Sequence, residues 1–252
     1  MKYKEIIEHS SLDYSKLIID KIDGHPSVTN NISVKHINPI HGRVAINKNS
    51  DNTHVLFIIK ELLGNNCKSV LEIGTLWGGA LITMMQSKYI SMFVSIDPFN
   101  GYYKKDEGKR DGFGSIDPKV GKANSYDLVY ENVVNNNLNQ HKFKLLKGLS
   151  TDKTIIDAVS KIFADGIDLL FIDGDHSLNG VLSDWNNYHN LINPGGIVVF
   201  DDYWSGNLAQ YEWPDDFMNV VKAYEQISSS PEFFNNWKEI GLYGDKKIIQ
   251  KV

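Results

Sequence analysis

The stretch DLLFIDGDHS, Asp168 to Ser177, carries an apolar run of Leu169, Leu170, Phe171 and Ile172 that ends abruptly in Asp173, Asp175 and His176. A short apolar run bounded in this way has the length of a fully buried strand. The stretch GGIVVFDDYW, Gly195 to Trp204, repeats the pattern and exits into Asp201 and Asp202. Working outward, SVLEIG (69–74), MFVSID (92–97) and FKLLKG (143–148) read as further short strands. Between them GALITMMQSKY, YDLVYENVVNNNL, TDKTIIDAVSKIF and LNGVLSDWNNYHNLI read as helices, the third with Ser150 or Thr151 as N-cap. NTHVLFIIKELL reads as a leading helix stopped by Gly64, NPGG as a turn, and DDFMNVVKAYEQIS as a last helix. WKEIGLYGDKKIIQKV reads as a hairpin turning at Gly244-Asp245. Strands alternating with helices predict an α/β fold, a doubly wound and mostly parallel sheet with helices on both faces. In such sheets ligands bind beyond the carboxyl ends of the strands, where these acidic exits lie.

Composition narrows the function. With 252 residues the chain can bury one large core, and a net charge of −5 without a basic stripe argues against nucleic acid as partner. The longest apolar runs fall far short of the ~20 residues of a membrane span. Cys67 is the single cysteine, which excludes an intrachain disulfide and a cysteine-based zinc cluster. MKYKEIIEHSS lacks a secretory apolar region, so the expected location is the cytoplasm.

VLEIGTLWGGA places Glu72, Gly74, Thr75, Gly78 and Gly79 at the end of the first regular strand. Glycines there let the backbone approach a ligand, and the following helix turns its positive end toward it. The dinucleotide fingerprint G-x-G-x-x-G is absent; the spacing is E-x-G-x-x-x-G. The next strand ends in Asp97, a carboxylate suited to both hydroxyls of a ribose. An ordinary tight turn beside a surface acid explains the glycines alone, but the pair favours a nucleoside.

LEIGTLWGG and SIDPF resemble the first two motifs of the class I S-adenosylmethionine-dependent methyltransferases. LLFIDGDHS together with NPGGIVVFDDYW resembles, more narrowly, the metal-dependent sugar O-methyltransferases of the macrocin and mycinamicin type. The resemblance spans roughly residues 51–204. It implies a seven-stranded Rossmann-like sheet ending in a C-terminal antiparallel hairpin, with S-adenosylmethionine as cofactor. It further implies Asp173, Asp201 and Asp202 as ligands of a divalent cation, and weaker cofactor contacts from Gly148, Ser150 and Asp173. Oxygen ligation suits Mg²⁺, with Mn²⁺ or Ca²⁺ as alternatives. His176, at D-x-x-H spacing from Asp173, resembles the base of the mycinamicin type; other relatives use the metal-bound carboxylate, here Asp173. The competing reading of His176 is a turn or N-cap residue, and the base is the favoured one.

The expected substrate is therefore a sugar or sugar nucleotide. A catechol-like phenol is the competing enzymatic reading, and a non-catalytic nucleoside-binding scaffold is the alternative of another class. Residues 1–50 are expected to form a helical or irregular extension serving as substrate lid or homo-oligomer contact. The methyltransferase domain is expected over 51–252, with a long loop insertion at about 98–124. Tyr203 and Trp204 are candidate walls of a sugar pocket, or plain packing.

Overall fold

The computed structural model describes Val55 and residues 58–100, 123–203, 214–243 and 245–252. The expected extension, most of the insertion after Pro98, Trp204 and Gly244 lie outside the described residues. Seven strands form one sheet: β1 (Ser69–Ile73), β2 (Met92–Asp97), β3 (Lys142–Lys147), β4 (Ile167–Ile172), β5 (Ile192–Phe200), β6 (Trp237–Tyr243) and β7 (Lys246–Lys251). Their order is β3-β2-β1-β4-β5-β7-β6. The first five are mutually parallel, whereas β7 pairs antiparallel with β5 and with β6. The expected seven-stranded sheet and reversed terminal hairpin are both present. Strand order changes direction between β1 and β4, so the ends of these two strands frame the crevice.

Among the described residues the α-helices are α1 (Gly79–Met84), α2 (Tyr126–Asn136), α3 (Lys153–Ile162), α4 (Leu178–Tyr188), α5 (Pro214–Ser228) and α6 (Pro231–Asn236). They cover both faces because successive strand side chains alternate. Leu169 and Phe171 of β4 pack with Trp77, Leu81 and Val129 on one side. Leu170 and Ile172 pack with Val181, Trp185 and Tyr188 on the other. A strand buried on both faces has no polar alternation, which is why LLFI is uninterrupted. No helix among the described residues is long and apolar enough to cross a membrane.

Four local readings are corrected. NPGG is not a turn before β5 but lies inside it. The register jumps from Ile167↔Ile192 to Leu169↔Ile197, so Asn193–Gly196 form a bulge. Asn193 donates to Asp168 Oδ1 at 2.8 Å, which holds that bulge against β4. The N-cap of α3 is Asp152, not Ser150 or Thr151, and its carboxylate accepts from the Leu149 N–H at 2.9 Å. The leading helix closes in a π-helical turn, Ile59–Leu63, because the N–H of Gly64 reaches back to the Ile59 carbonyl. The short helix α6 was absent from the sequence reading, although Ser230 caps it and Pro231 opens it, a standard start signal.

Candidate active site at the strand ends

The hydrogen-bond ladder continues one residue past β4 and β5. Asp173 N–H donates to the Ile73 carbonyl at 2.9 Å, and Asp201 N–H donates to that of Ile172 at 3.0 Å. These bonds fix the two acidic exits on adjacent strands. Gly74 continues β1 at the same level with φ +93°, and a Cβ there would lie 1.9 Å from the Asp173 carbonyl oxygen. Here glycine is required both by its backbone angle and by the close approach of β4. Gly74→Ala is expected to lower the melting temperature and displace Asp173, with backbone strain alone costing about 1–3 kcal/mol. A thermal melt at wild-type temperature would show that the turn shifts without penalty.

Beyond these ends the side chains converge. His176 is buried, with Nδ1 3.1 Å from Asp202 Oδ2 and Nε2 3.3 Å from Asp173 Oδ1. It is not the N-cap of α4; that role belongs to Ser177, whose hydroxyl accepts from the Gly180 N–H at 3.0 Å. Asp175 accepts from the Ser177 N–H at 2.9 Å and so serves the turn. Asp202 adopts φ +54°, a left-handed conformation that costs a non-glycine residue roughly 1–2 kcal/mol. Strain of this kind, held by its surroundings at a cluster of acids, is a mark of a functional site.

One participant escaped the sequence reading. The Lys246 side chain is 1% exposed at the start of β7, and its ammonium donates to Asp201 Oδ1 and, at 2.8 Å, to Asp245 Oδ1. A lysine at a hairpin turn carries no sequence signal of burial. Asp201 Oδ1 also accepts from the Asp202 N–H at 2.9 Å, which leaves Oδ2 as the oxygen able to serve an ion. Ligand atoms of Asp173, His176 and Asp202 lie within 4.8 Å of one another, as do those of Asp201, Asp202 and Asp245. Asp202 belongs to both sets, whereas the other two expected ligands, Asp173 and Asp201, fall in different ones.

Electrostatics follow from this crowding. Burial pushes the Asp201 carboxyl up, Lys246 pulls it back, and neighbouring acids add to the rise. Burial pushes Asp202 up to about 6 against the pull of His176, although a third of its side chain remains exposed to screening water. For His176 burial pulls downward, but Asp202, Asp173 and Asp201 outweigh it and push the imidazole up to about 9. Even with that ring protonated, four carboxylates face two cations across these two sets among the described residues. An oxygen-rich donor set with excess negative charge fits a hard divalent cation.

On the other side of β1 lies the glycine turn. Asp97 Oδ2 accepts from the N–H groups of Thr75 and Leu76, both at 3.0 Å, and Oδ1 accepts from Phe99 N–H at 2.6 Å. The expected ribose acceptor therefore also holds the turn in shape. Each carboxylate oxygen offers two lone pairs, so capacity for a ligand remains. Glu72 is fully buried beneath the turn, where Ser95 Oγ donates to its Oε2, and Ser95 in turn pairs with Thr75 Oγ1 at 2.5 Å. Burial pushes Glu72 up to about 8, opposed by the Ser95 hydrogen bond and assisted by Asp173 and Asp97. Gly78, at φ +86°, caps α1, and Gly79 is its first residue. Gly148 donates to the Asp97 carbonyl at 3.1 Å, and a Cβ there would press on Ile155 at 2.8 Å. The Ser150 carbonyl accepts from the Tyr188 hydroxyl at 2.6 Å. Tyr203 is buried against Tyr224, ring centroids 5.5 Å apart.

Comparison with known proteins gives the same direction. A family profile described as a methyltransferase domain matches residues 71–203, just over half of the chain. An uncharacterized protein of Acanthamoeba polyphaga mimivirus is 32% identical over 195 residues, 75% of this chain and 76% of its own. The O-methyltransferase from Bacillus cereus, solved in complex with SAH, superposes with a TM-score of 0.51 at 17% identity, covering 83% of each chain. The O-methyltransferase of Streptomyces achromogenes involved in tomaymycin synthesis, solved with SAM, gives 0.53 at 14% identity, over 83% of this chain and 82% of its own. At these identities the solved structures share the fold.

Proposed function

The chain belongs to the methyltransferase domain family, and from that premise we propose an S-adenosylmethionine-dependent, divalent-metal-dependent O-methyltransferase that acts on a sugar hydroxyl. The observation that carries this reading is the meeting of Asp173, Asp202 and His176 at the end of β4, in backbone contact with the glycine turn through Gly74. Through that contact a methyl donor at the glycine turn would lie beside the acceptor chemistry.

S-adenosylmethionine, as a sulfonium, supplies the methyl group when bound. Asp97 would take its ribose hydroxyls, while Glu72, Ser95 and Thr75 brace the turn from below. Gly74, Gly78 and Gly79 keep side chains out of the cradle, and Gly148, Ser150 and Asp173 border it. A divalent cation held by Asp173, Asp201 and Asp202 would lower the pKa of a substrate hydroxyl there. To receive the hydroxyl proton, His176 would be neutral with one ring nitrogen released by its carboxylate, and the carboxylate that remains would steady the imidazolium that results. Held in that cradle, the sulfonium would give its methyl to the deprotonated substrate oxygen, its sulfur keeping the electron pair of the broken bond. In the resting site the two carboxylates that flank the imidazole fix its ring orientation.

A mass-spectrometric screen of sugars, sugar nucleotides and catechols with S-adenosylmethionine and Mg²⁺ tests the substrate class. Gain of one methyl by a sugar is the expected result. Methylation of catechols alone would move the reading to the phenol class.

The cofactor half has its own test. Asp97→Ala is expected to weaken S-adenosylhomocysteine by about 1.5–3 kcal/mol in calorimetric titration, the range of a charge-assisted bond. The loss includes the loosened turn, because Asp97 also holds Thr75 and Leu76. Unchanged affinity in a folded variant would place the ribose elsewhere.

A further inference from the structure

Asp201, Asp202 and Asp245 form a second set of mutually close carboxylates, and a cation already stands among them in the form of Lys246. Its ammonium comes from β7, reaches Asp201 from 45 positions along the chain and sits beside Asp245 of the hairpin turn. The Tyr203 N–H donates to the Asp245 carbonyl at 2.7 Å, so the acidic exit of β5 and the hairpin are tied through backbone as well. Both carboxylates are largely buried, with side chains 12% and 8% exposed. Buried charges in such surroundings need a compensating charge in contact with them. The geometry therefore gives Lys246 a function besides packing.

We infer that Lys246 is a positioning residue that stands in for a second metal ion. It clamps Asp201 by Oδ1, presents Oδ2 to the ion pocket, and restricts the site to one divalent cation. This rests on the proposed metal-dependent reading of the site. It differs from it in assigning the Asp201–Asp245 half of the acidic cluster to a side chain of the protein itself. The clamp also sets the geometry of Asp201, since a carboxylate with one oxygen engaged by a fixed ammonium can serve an ion only through the other.

Lys246→Met keeps the aliphatic stem and removes the charge, and Mn²⁺ titration of the full chain followed by electron paramagnetic resonance reads the result. Wild-type protein is expected to bind one Mn²⁺ with an uncoupled spectrum. Lys246→Met is expected to bind a second, with the spin–spin broadening of a close pair, and to lose roughly tenfold or more in kcat while KM for S-adenosylmethionine changes little. Lys246→Arg, which keeps the charge, is expected to return both to the wild-type pattern. Should Lys246→Met fail to fold without metal, refolding in Mn²⁺ is expected to rescue it, because the ion replaces the missing charge. A Lys246→Met protein that binds one Mn²⁺ with wild-type affinity, or stays unfolded in Mn²⁺, overturns the inference while wild-type binding leaves the metal site standing. Wild-type protein that takes up no Mn²⁺ overturns both.

Discussion

Exhaustive chelation is expected to abolish turnover, by at least roughly 10²-fold given the several kcal/mol that a Lewis-acidic ion contributes to such a step. Mg²⁺ or Mn²⁺ should restore it. The expectation comes from charge balance. Among the described residues Asp173, Asp201, Asp202 and Asp245 crowd together, and Lys246 and a protonated His176 offset only part of their charge. A catalytic cluster left with that excess resists the deprotonation of a substrate hydroxyl beside it, because the alkoxide adds one more negative charge. Affinity for S-adenosylhomocysteine should change little, since Asp97 and the turn at Thr75 and Leu76 lie across β1 from the acids. Asp202→Asn should weaken the metal, with part of the rate recovered at high metal concentration. Activity that survives chelation in full would defeat the metal reading and leave the three acids as structural groups of the strand ends.

The acidic exits were legible because a strand end places its following residue by local geometry alone: once LLFI and IVVF are strands, Asp173 and Asp201 must emerge at the same edge. That they are neighbours needed the resemblance, since strand order is not written in any one segment. Lys246 was not legible, because its burial depends on β7 pairing with β5, with Phe200 opposite Lys247, a contact made across the whole terminal unit. The Glu72–Ser95–Thr75 chain was hidden for a similar reason. Ser95 looks like an incidental polar residue of β2 until the parallel register sets it opposite Glu72. The NPGG segment misled in the other direction: its composition is that of a turn, and only pairing on both sides of it reveals a bulge within one strand. Local chemistry was thus readable where one strand end sufficed, and unreadable where two distant segments had to be in register.

His176→Ala is expected to keep metal and cofactor and yet lose turnover by roughly 10²–10⁴-fold, the contribution of a positioned base. Its ring is buried between Asp173 and Asp202, so removal opens a gap at the center of the site without removing a ligand of the proposed ion. The pH dependence separates this role from a packing one. In the chain alone the flanking acids overcome burial and push the imidazole up to about 9. A cation on the same acids opposes that push, so the wild-type rate should rise with pH through an ionisation below 9, and the alanine variant should lack that rise. Stability in chelator should move in the opposite sense. The fold favours protonated His176, whose pKa rises from 6.5 to about 9, so its contribution is whole below pH 6.5 and is lost as pH climbs through 9. The gap in melting temperature between wild type and His176→Ala should therefore narrow over that window. A variant with near-normal rate and an unaltered pH profile would transfer the role of base to Asp173, whose carboxylate stands 3.3 Å from the ring. The stability trend would survive that outcome, because it depends only on the two carboxylates beside the imidazole and not on where the substrate proton goes.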